Sequence, residues 1–332
     1  MPEHTAESIL SQARAFMQSR ILLTAAELDL FTILDDQPSS ASRVADLLSG
    51  DLRALRMILD ALVAMKLLAK SDGTYSCAEG IGPLLSAKSE ESVLPMVLHM
   101  AGLYQSWGRL TQQAIGSPAE HESPVGLDDY GRLKAFIGAM HVVSHDRAKL
   151  TAQEVDPRSE ERLLDVGGAS GTFVMAFIEQ APGMKATIFD RPAVVEMARE
   201  RLGKAGLLGQ VELVAGDYNI DELPQGHDLA LLSAIIHQNS PEQNQDLYYK
   251  VFRALEPGGR VVIRDHVMEP DRTEPPAGAI FAINMLANTE GGGCYTLEEI
   301  RKGLEQAGFE DVEVLRRDSV MDGLVQARKP KA

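Results

Sequence analysis

The sequence predicts an α/β protein: a doubly wound, mostly parallel sheet preceded by a mainly helical unit with a winged-helix layout. Three observations carry this. From Arg162 onward, short apolar strands alternate with helical stretches. The strand Leu163-Leu164-Asp165-Val166 runs into the glycine-rich turn Gly167-Gly168-Ala169-Ser170-Gly171, and the next strand ends on Asp190, 19 residues after Gly171. Upstream, two short helical stretches are followed by a hairpin signal.

The elements follow in order. Leu10, Ala13, Met17, Ile21, Thr24 and Leu28 recur at three- and four-residue steps and form one helical stripe. Ser40 caps a helix through Leu48, which Gly50 breaks. Asp51 caps the next, with Leu52, Leu55, Leu59, Leu62 and Val63 on one face. Leu67–Lys70, the turn Ser71-Asp72-Gly73 and Thr74–Cys77 read as a hairpin. Residues 80–130 carry Pro83, Pro95, Pro118 and Pro124 and read as irregular helix and loop. Leu133, Phe136, Ile137, Met140 and Val143 mark a bridging helix ended by Asp156-Pro157. Strands are expected at 162–166, 185–189, 211–214, 228–232, 260–264, 312–316 and 323–327, with helices near 171–180, 192–205, 241–255 and 297–307. Gly258-Gly259 is the expected turn into the fifth strand. The expected domains are residues 1–100 (winged helix), 101–155 (helical linker facing a pocket) and 156–332 (the nucleotide-binding fold).

The glycine turn selects a ligand. Glycines admit close approach of the backbone, and Asp190 suits ribose hydroxyls, so an adenosine-containing cofactor is expected. The order G-G-A-x-G departs from the dinucleotide fingerprint G-x-G-x-x-G. Asp165, two residues before the first glycine, suits a ligand with a positive charge rather than a pyrophosphate. S-adenosylmethionine (SAM) has both a sulfonium and an ammonium. The cofactor set is then Asp165, Gly167, Gly168, Gly171, Asp190, Asp217, Tyr218 and Ser233, all at or past strand ends where the crevice of such a sheet lies. Asp217 and Tyr218 are placed to take an adenine, one through its amino group and one by stacking.

His237 follows the fourth strand, and Asp265 ends the fifth. Adjacent strand ends bring the two together, so that the aspartate fixes the imidazole tautomer and leaves Nε2 as a base. A phenol, with a pKa of about 10, needs such a base before it attacks a sulfonium methyl near neutral pH. The acceptor wall is expected from Phe281–Asn288, above all Phe281, Met285 and Asn288, from Phe136 and Met140, and from Trp107. No metal is expected, because Asp265 and His266 are adjacent and point apart on a strand.

A formal net charge of −16 opposes sequence-independent nucleic-acid binding and docking on anionic membranes. Arg53, Arg56 and Lys66 on the second winged-helix helix are offset by Asp51, Asp60 and Asp72, which favours a protein–protein role for that unit. The two cysteines, Cys77 and Cys294, fit no paired motif, and with no signal pattern a cytoplasmic location is expected.

From about Ala6 to the C-terminus the chain resembles the plant-caffeate or acetylserotonin type of SAM-dependent O-methyltransferases, which includes bacterial natural-product enzymes. The matching residues are Ala25-Ala26-Glu27-Leu28-Asp29-Leu30-Phe31, Asp165-Val166-Gly167-Gly168, Phe189-Asp190-Arg191-Pro192, Gly216-Asp217-Tyr218, Pro257-Gly258-Gly259 and Gly291-Gly292. The resemblance implies a class I methyltransferase fold with a seven-stranded sheet and a winged-helix dimerisation domain, hence a homodimer. It implies SAM as cofactor, S-adenosylhomocysteine (SAH) as product, a histidine base at His237 oriented by Asp265, and Arg191 beside the cofactor acid. Three positions depart from the pattern. Ala169 replaces a glycine, Gln238 replaces an aspartate beside the acceptor, and Cys294 replaces a second acid, which weakens the apparatus that orients the base. The expected reaction is methyl transfer to a hydroxyl of a small aromatic or polyketide-like acceptor. The alternatives are carbon or nitrogen transfer on the same fold, or a non-catalytic SAM- or ligand-binding regulator. A nicotinamide dehydrogenase is disfavoured by the glycine order.

Overall fold

The computed structural model of the chain describes residues 4–116, 129–158, 161–317 and 321–331. Contacts divide the chain into two units, Met1–Gln105 with His121–Ala139, and Ser106–Glu120 with Met140–Ala332.

In the first unit, helix Ala6–Glu27 is capped by Thr5 and buries Leu23, Ala25 and Ala26 near its end. Its N-terminal half leaves Ile9, Leu10, Phe16 and Met17 more than half exposed. Ser40 caps Ala41–Leu48 by accepting from the Arg43 amide, and Asp51 caps Leu52–Ala64 by accepting from the Ala54 amide. Leu68–Ser71 and Thr74–Cys77 pair antiparallel through the Asp72-Gly73 turn, and Ser39–Ser40 adds a short third strand that the sequence pattern does not signal. Leu30, Phe31, Leu34, Val44, Leu55, Leu59, Leu62 and Tyr75 make the core of this unit. The Tyr75 hydroxyl donates to Asp60 (2.7 Å), tying the hairpin to the helix before it.

The second unit is built on a seven-stranded sheet. Its strands are β1 (Arg162–Val166), β2 (Lys185–Asp190), β3 (Val211–Ala215), β4 (His227–Ser233), β5 (Leu255–Asp265), β6 (Glu310–Arg316) and β7 (Gly323–Arg328). The order is β6-β7-β5-β4-β1-β2-β3, parallel except that β7 runs antiparallel to both neighbours. Alternating side chains of each strand go to opposite faces. Leu164, Val166, Ala230, Leu232, Val261 and Ile263 share one core with helices Pro241–Ala254 and Leu297–Ala307. Leu163, Leu229, Leu231 and Val262 share the other with helices Thr172–Gln180 and Pro192–Lys204 and with the end of helix Asp129–Val155. The chain leaves β1 toward β2 on one side and returns as β4 on the other. The strand order therefore reverses beside β1, which opens a crevice beyond the carboxyl ends.

β5 begins earlier than the expected residue 260. Leu255 pairs with His227, and Pro257-Gly258-Gly259 lie within the strand at a register shift, with Gly258 at φ +84°. The glycine absorbs a bulge rather than a separate turn. A short parallel pair, Val267–Met268 with Tyr295–Thr296, is also new relative to the sequence pattern.

Beneath the β5 end lies a buried ion network. Arg264, 3% exposed, donates through Nε to Asp322 Oδ1 (2.5 Å), and Arg316 pairs with Asp322 Oδ2 at 2.9 Å. Asp322→Ala strands the Arg264 guanidinium in the core. Denaturant unfolding of that variant is expected to show a loss of about 3–5 kcal/mol; a loss below about 1 kcal/mol would mean the network contributes little.

Candidate active site

The turn after β1 is held open by backbone conformations that side chains disfavour. Gly167 lies at φ +68°, where a Cβ would meet Ile235 Cδ1 at 2.3 Å. Gly168 has no room either, since its Cβ would lie 2.8 Å from Asp165 Oδ2. Gly171, at φ +80°, starts helix Thr172–Gln180 and packs on Ile188 and Leu202. Ala169 adopts φ +48° despite its methyl group, so the alanine in place of a glycine leaves the turn intact.

Asp165 is 1% exposed, and its Oδ2 has no hydrogen-bond partner among the described residues. Burial, and then the neighbouring Asp190 charge, push its carboxyl up to about 7. Asp190, at the end of β2, accepts from the Ala169 amide through Oδ2 (2.9 Å) and from the Arg191 amide through Oδ1 (2.7 Å). Its pKa is raised by burial, against the pull of those two N–H groups. Arg191 is exposed and stands at the N-cap position of helix Pro192–Lys204 without a side-chain capping hydrogen bond. A buried acid with an unanswered oxygen beside a glycine cradle fits a ligand that brings cationic or hydrogen-bond donor groups.

Past β3, Gly216 lies where a Cβ would meet the Phe189 ring at 2.3 Å. Asp217 is half-buried and accepts from the Asn219 amide (2.9 Å). Tyr218 is half-buried, and its carbonyl accepts from the buried Lys250 ammonium (2.7 Å). Burial, then the Asp217 charge, raise its phenol to about 12, so it remains protonated as a donor. Ser233 receives Arg264 Nη1 at 3.4 Å, so its hydroxyl is joined to the ion network.

His237 sits on a single 3-10 turn, Ile236–Gln238, and is 6% exposed. Its Nδ1 is 2.9 Å from both carboxylate oxygens of Asp265, which is 1% exposed. Because the carboxylate accepts, Nδ1 carries the proton. Nε2 has no hydrogen-bond partner among the described residues. Burial alone would raise Asp265, but His237 and the His266 amide (2.8 Å) outweigh it and hold its pKa below the usual carboxylate value. Phe281 meets the His237 imidazole edge-on, centroids 4.9 Å apart.

Helix Pro276–Asn288 carries Phe281, Met285 and Asn288. Met285 is buried, and Asn288 is exposed and donates back along its own helix to Asn284. Trp107 Nε1 donates to Asn284 Oδ1 (3.0 Å), bringing the sole tryptophan against this helix. Gln238 is exposed and donates to the Ala234 carbonyl, and Met140 is half-buried. Phe136 belongs to the first unit, where its ring lies 5.1 Å from that of His99. Among the described residues no His, Cys, Asp and Glu cluster has a metal-binding arrangement. No described helix is long and apolar enough to cross a membrane.

Other residues around the His237 turn matter through contacts that residue order does not reveal. Gly291 and Gly292 are recognisable as a marker, but the reason for them is contact: a Cβ at Gly292 would lie 2.5 Å from the His237 carbonyl. The buried pair Asn239 and Asn244 is likewise silent in the sequence.

Residues 128–310 match the model of an O-methyltransferase domain, and residues 10–80 match that of an O-methyltransferase dimerisation domain. The chain belongs to the SAM-dependent O-methyltransferase family. It is 30% identical over 329 residues (97% of this chain, 96% of the relative) to the tetracenomycin polyketide synthesis 8-O-methyl transferase TcmO of Streptomyces glaucescens. It is 28% identical over 339 residues (99% and 98%) to the N,N-dimethyltransferase OxyT of Streptomyces rimosus. The crystal structure of human N-acetylserotonin methyltransferase with SAM superposes with a TM-score of 0.81 at 25% identity, covering 99% of each chain. The methyltransferase therefore has the class I fold and the N-terminal dimerisation domain that the sequence resemblance implies.

The position of Asp165 gives this enzyme a testable pH response. With its carboxyl near 7, Asp165 loses its charge on protonation below that pH, and it is the acid that the sequence expects to face a cationic cofactor. Calorimetric titration is expected to give SAM binding roughly five- to tenfold weaker at pH 6 than at pH 7.5. Asp165→Asn should flatten that dependence; an unchanged profile would remove Asp165 from the cofactor site.

Proposed function

We propose that this methyltransferase transfers a methyl group to a hydroxyl of a small aromatic or polyketide-like acceptor, with His237 as general base. The observation that carries the proposal is the buried imidazole whose Nδ1 lies 2.9 Å from both Asp265 oxygens while Nε2 is left without a partner among the described residues. Nε2 takes the hydroxyl proton, and Asp265 fixes the tautomer and stabilises the imidazolium that forms. Asp165, Asp190, Arg191, Asp217, Tyr218 and Ser233, with the backbone at Gly167, Gly168 and Gly171, would hold SAM. When bound, SAM supplies an electrophilic methyl group on a positively charged sulfur. Phe281 presents an apolar edge to the imidazole, and Met285 on the same helix, with Trp107, Met140, Gln238 and Asn288, would supply the rest of the acceptor wall. The similarity to TcmO supports a polyketide-like acceptor.

A second reading, transfer to nitrogen, is favoured by the similarity to OxyT. A labelled-methyl screen across phenolic, polyketide and amine acceptors separates the two by which class takes the label.

The dimerisation-domain match and the row of exposed Ile9, Leu10, Phe16 and Met17 support a homodimer through the first helix. Sedimentation should give a dimer that Phe16→Asp with Met17→Asp converts to monomer; a wild-type monomer at micromolar concentration would overturn this. For the base, His237→Ala should lower kcat by about 10²–10⁴-fold while SAM affinity changes less than threefold. Near-normal turnover in that variant would end the proposal.

A further inference from the structure

The turn that carries His237 is one residue triplet between β4 and helix Pro241–Ala254, too short to hold its own shape. Its backbone carbonyls are gripped from outside. The Ile236 carbonyl accepts from Asn244 Nδ2 (2.8 Å), the His237 carbonyl from the Gly293 amide (2.9 Å), and the Asn239 carbonyl from the Tyr295 hydroxyl. Asn239 and Asn244 are each 3% exposed, so each unmet polar atom would be costly.

The two carboxamides can face only one way. Asn244 Nδ2 is committed to a carbonyl oxygen, which turns its Oδ1 toward Asn239. Asn239 Nδ2 donates to that oxygen (3.0 Å). Asn239 Oδ1 is then left as an acceptor, and the Tyr218 hydroxyl donates to it at 3.3 Å. A directed chain runs from Tyr218 through Asn239 and Asn244 to the backbone of the His237 turn, with Tyr295 joined to it at Asn244 and at the Asn239 carbonyl. Neither asparagine belongs to the motifs that signal the cofactor or the base.

We propose that Asn239 and Asn244 are positioning residues that couple Tyr218, on the cofactor side, to the orientation of His237. The inference rests on the reading of Tyr218 as a cofactor contact and His237 as the base. Tyr218 is the end of the chain on the cofactor side: its hydroxyl bond, at 3.3 Å, is the longest of the series, and packing of a ligand against the ring would shorten it. Tightening draws on Asn239, then Asn244, then the Ile236 carbonyl, so the base is aligned when the cofactor is seated.

The test uses the full-length, ligand-free enzyme with ¹⁵N-labelled histidine, the His237 ring signals being assigned by their loss in His237→Gln. Tyr218→Phe removes one hydroxyl and leaves the ring, so the fold is retained. Its His237 imidazole resonances are expected to move from their wild-type positions at fixed pH, although no cofactor is present. In the Asn239→Leu background the same tyrosine change should move them no further. With substrates, Tyr218→Phe should lower kcat about fivefold or more, beyond any rise in the KM for SAM. Coincident His237 resonances in wild type and Tyr218→Phe would overturn the proposal, as would equal tyrosine effects with and without Asn239. Turnover of His237→Ala reports on the base assignment separately, because the resonance comparison needs no catalysis.

Discussion

Burial of the Asp265 carboxylate organises the site. At 1% exposure it has no access to bulk water, and its charge persists only because N–H groups converge on it. The His237 imidazole and the His266 amide supply them. The sheet makes that convergence possible. Ser233 stands opposite Arg264 in the parallel pairing of β4 with β5, and the Ala234 amide then donates to the Arg264 carbonyl (2.8 Å). Ala234 turns the chain at φ +58°, and three residues later the imidazole faces the end of β5. Packing of the glycine segment 291–293 over the His237 carbonyl closes the turn from above. His237 is thus placed by strand register, a left-handed residue and a close backbone approach acting together.

Much of this is legible from residue order. Helix starts at Ser40 and Asp51 are readable because a capping side chain acts on amides only a few residues away. The meeting of His237 and Asp265 is readable because parallel neighbours deliver their ends to one crevice, a rule that needs only the order of strands. What escapes the sequence is lateral. Asp322 answers Arg264 across 58 positions, and Trp107 reaches Asn284 across 177. Neither pairing has a spacing rule. The bulge at Gly258 escaped for a related reason: a glycine reads equally as a turn or as a strand irregularity, and the pairing of Leu255 with His227 decides between them.

Two buried acids near strand ends show how the surroundings divide the labour. Asp265 is surrounded by N–H groups and is held ionised, whereas Asp165 keeps an unanswered oxygen and is pushed up to about 7. Residue type is the same and burial is the same. The difference lies in whether the protein supplies the compensating donors or leaves them to a ligand. An acid with an unanswered oxygen next to Asp190 carries an unfavourable interaction, and in the proposed SAM site a cationic ligand would relieve it, so that affinity would arise partly from what the ligand-free protein lacks.

Cys294 bears on the same balance. The family resemblance places a second acid there, and the expectation is a weaker hold on the base. Cys294 is 4% exposed, and burial, followed by the Asp265 charge, pushes its thiol up to about 12, so it stays neutral. A carboxylate in that position would face Asp265 in a region poor in water, and like charges so placed raise one of the two pKa values. With a thiol there, no second carboxylate competes with Asp265 for charge, and both of its oxygens lie 2.9 Å from Nδ1 while Oδ1 also accepts from the His266 amide. The two oxygens are not interchangeable, because Oδ1 is also held by the His266 amide at 2.8 Å and Oδ2 lies 3.4 Å from the His237 amide, so the carboxylate is fixed by backbone N–H groups as well as by the ring it faces. The imidazole thus faces a single acid that backbone amides hold in place, and the backbone grip on the Ile236–Gln238 turn limits how far the ring can move against it.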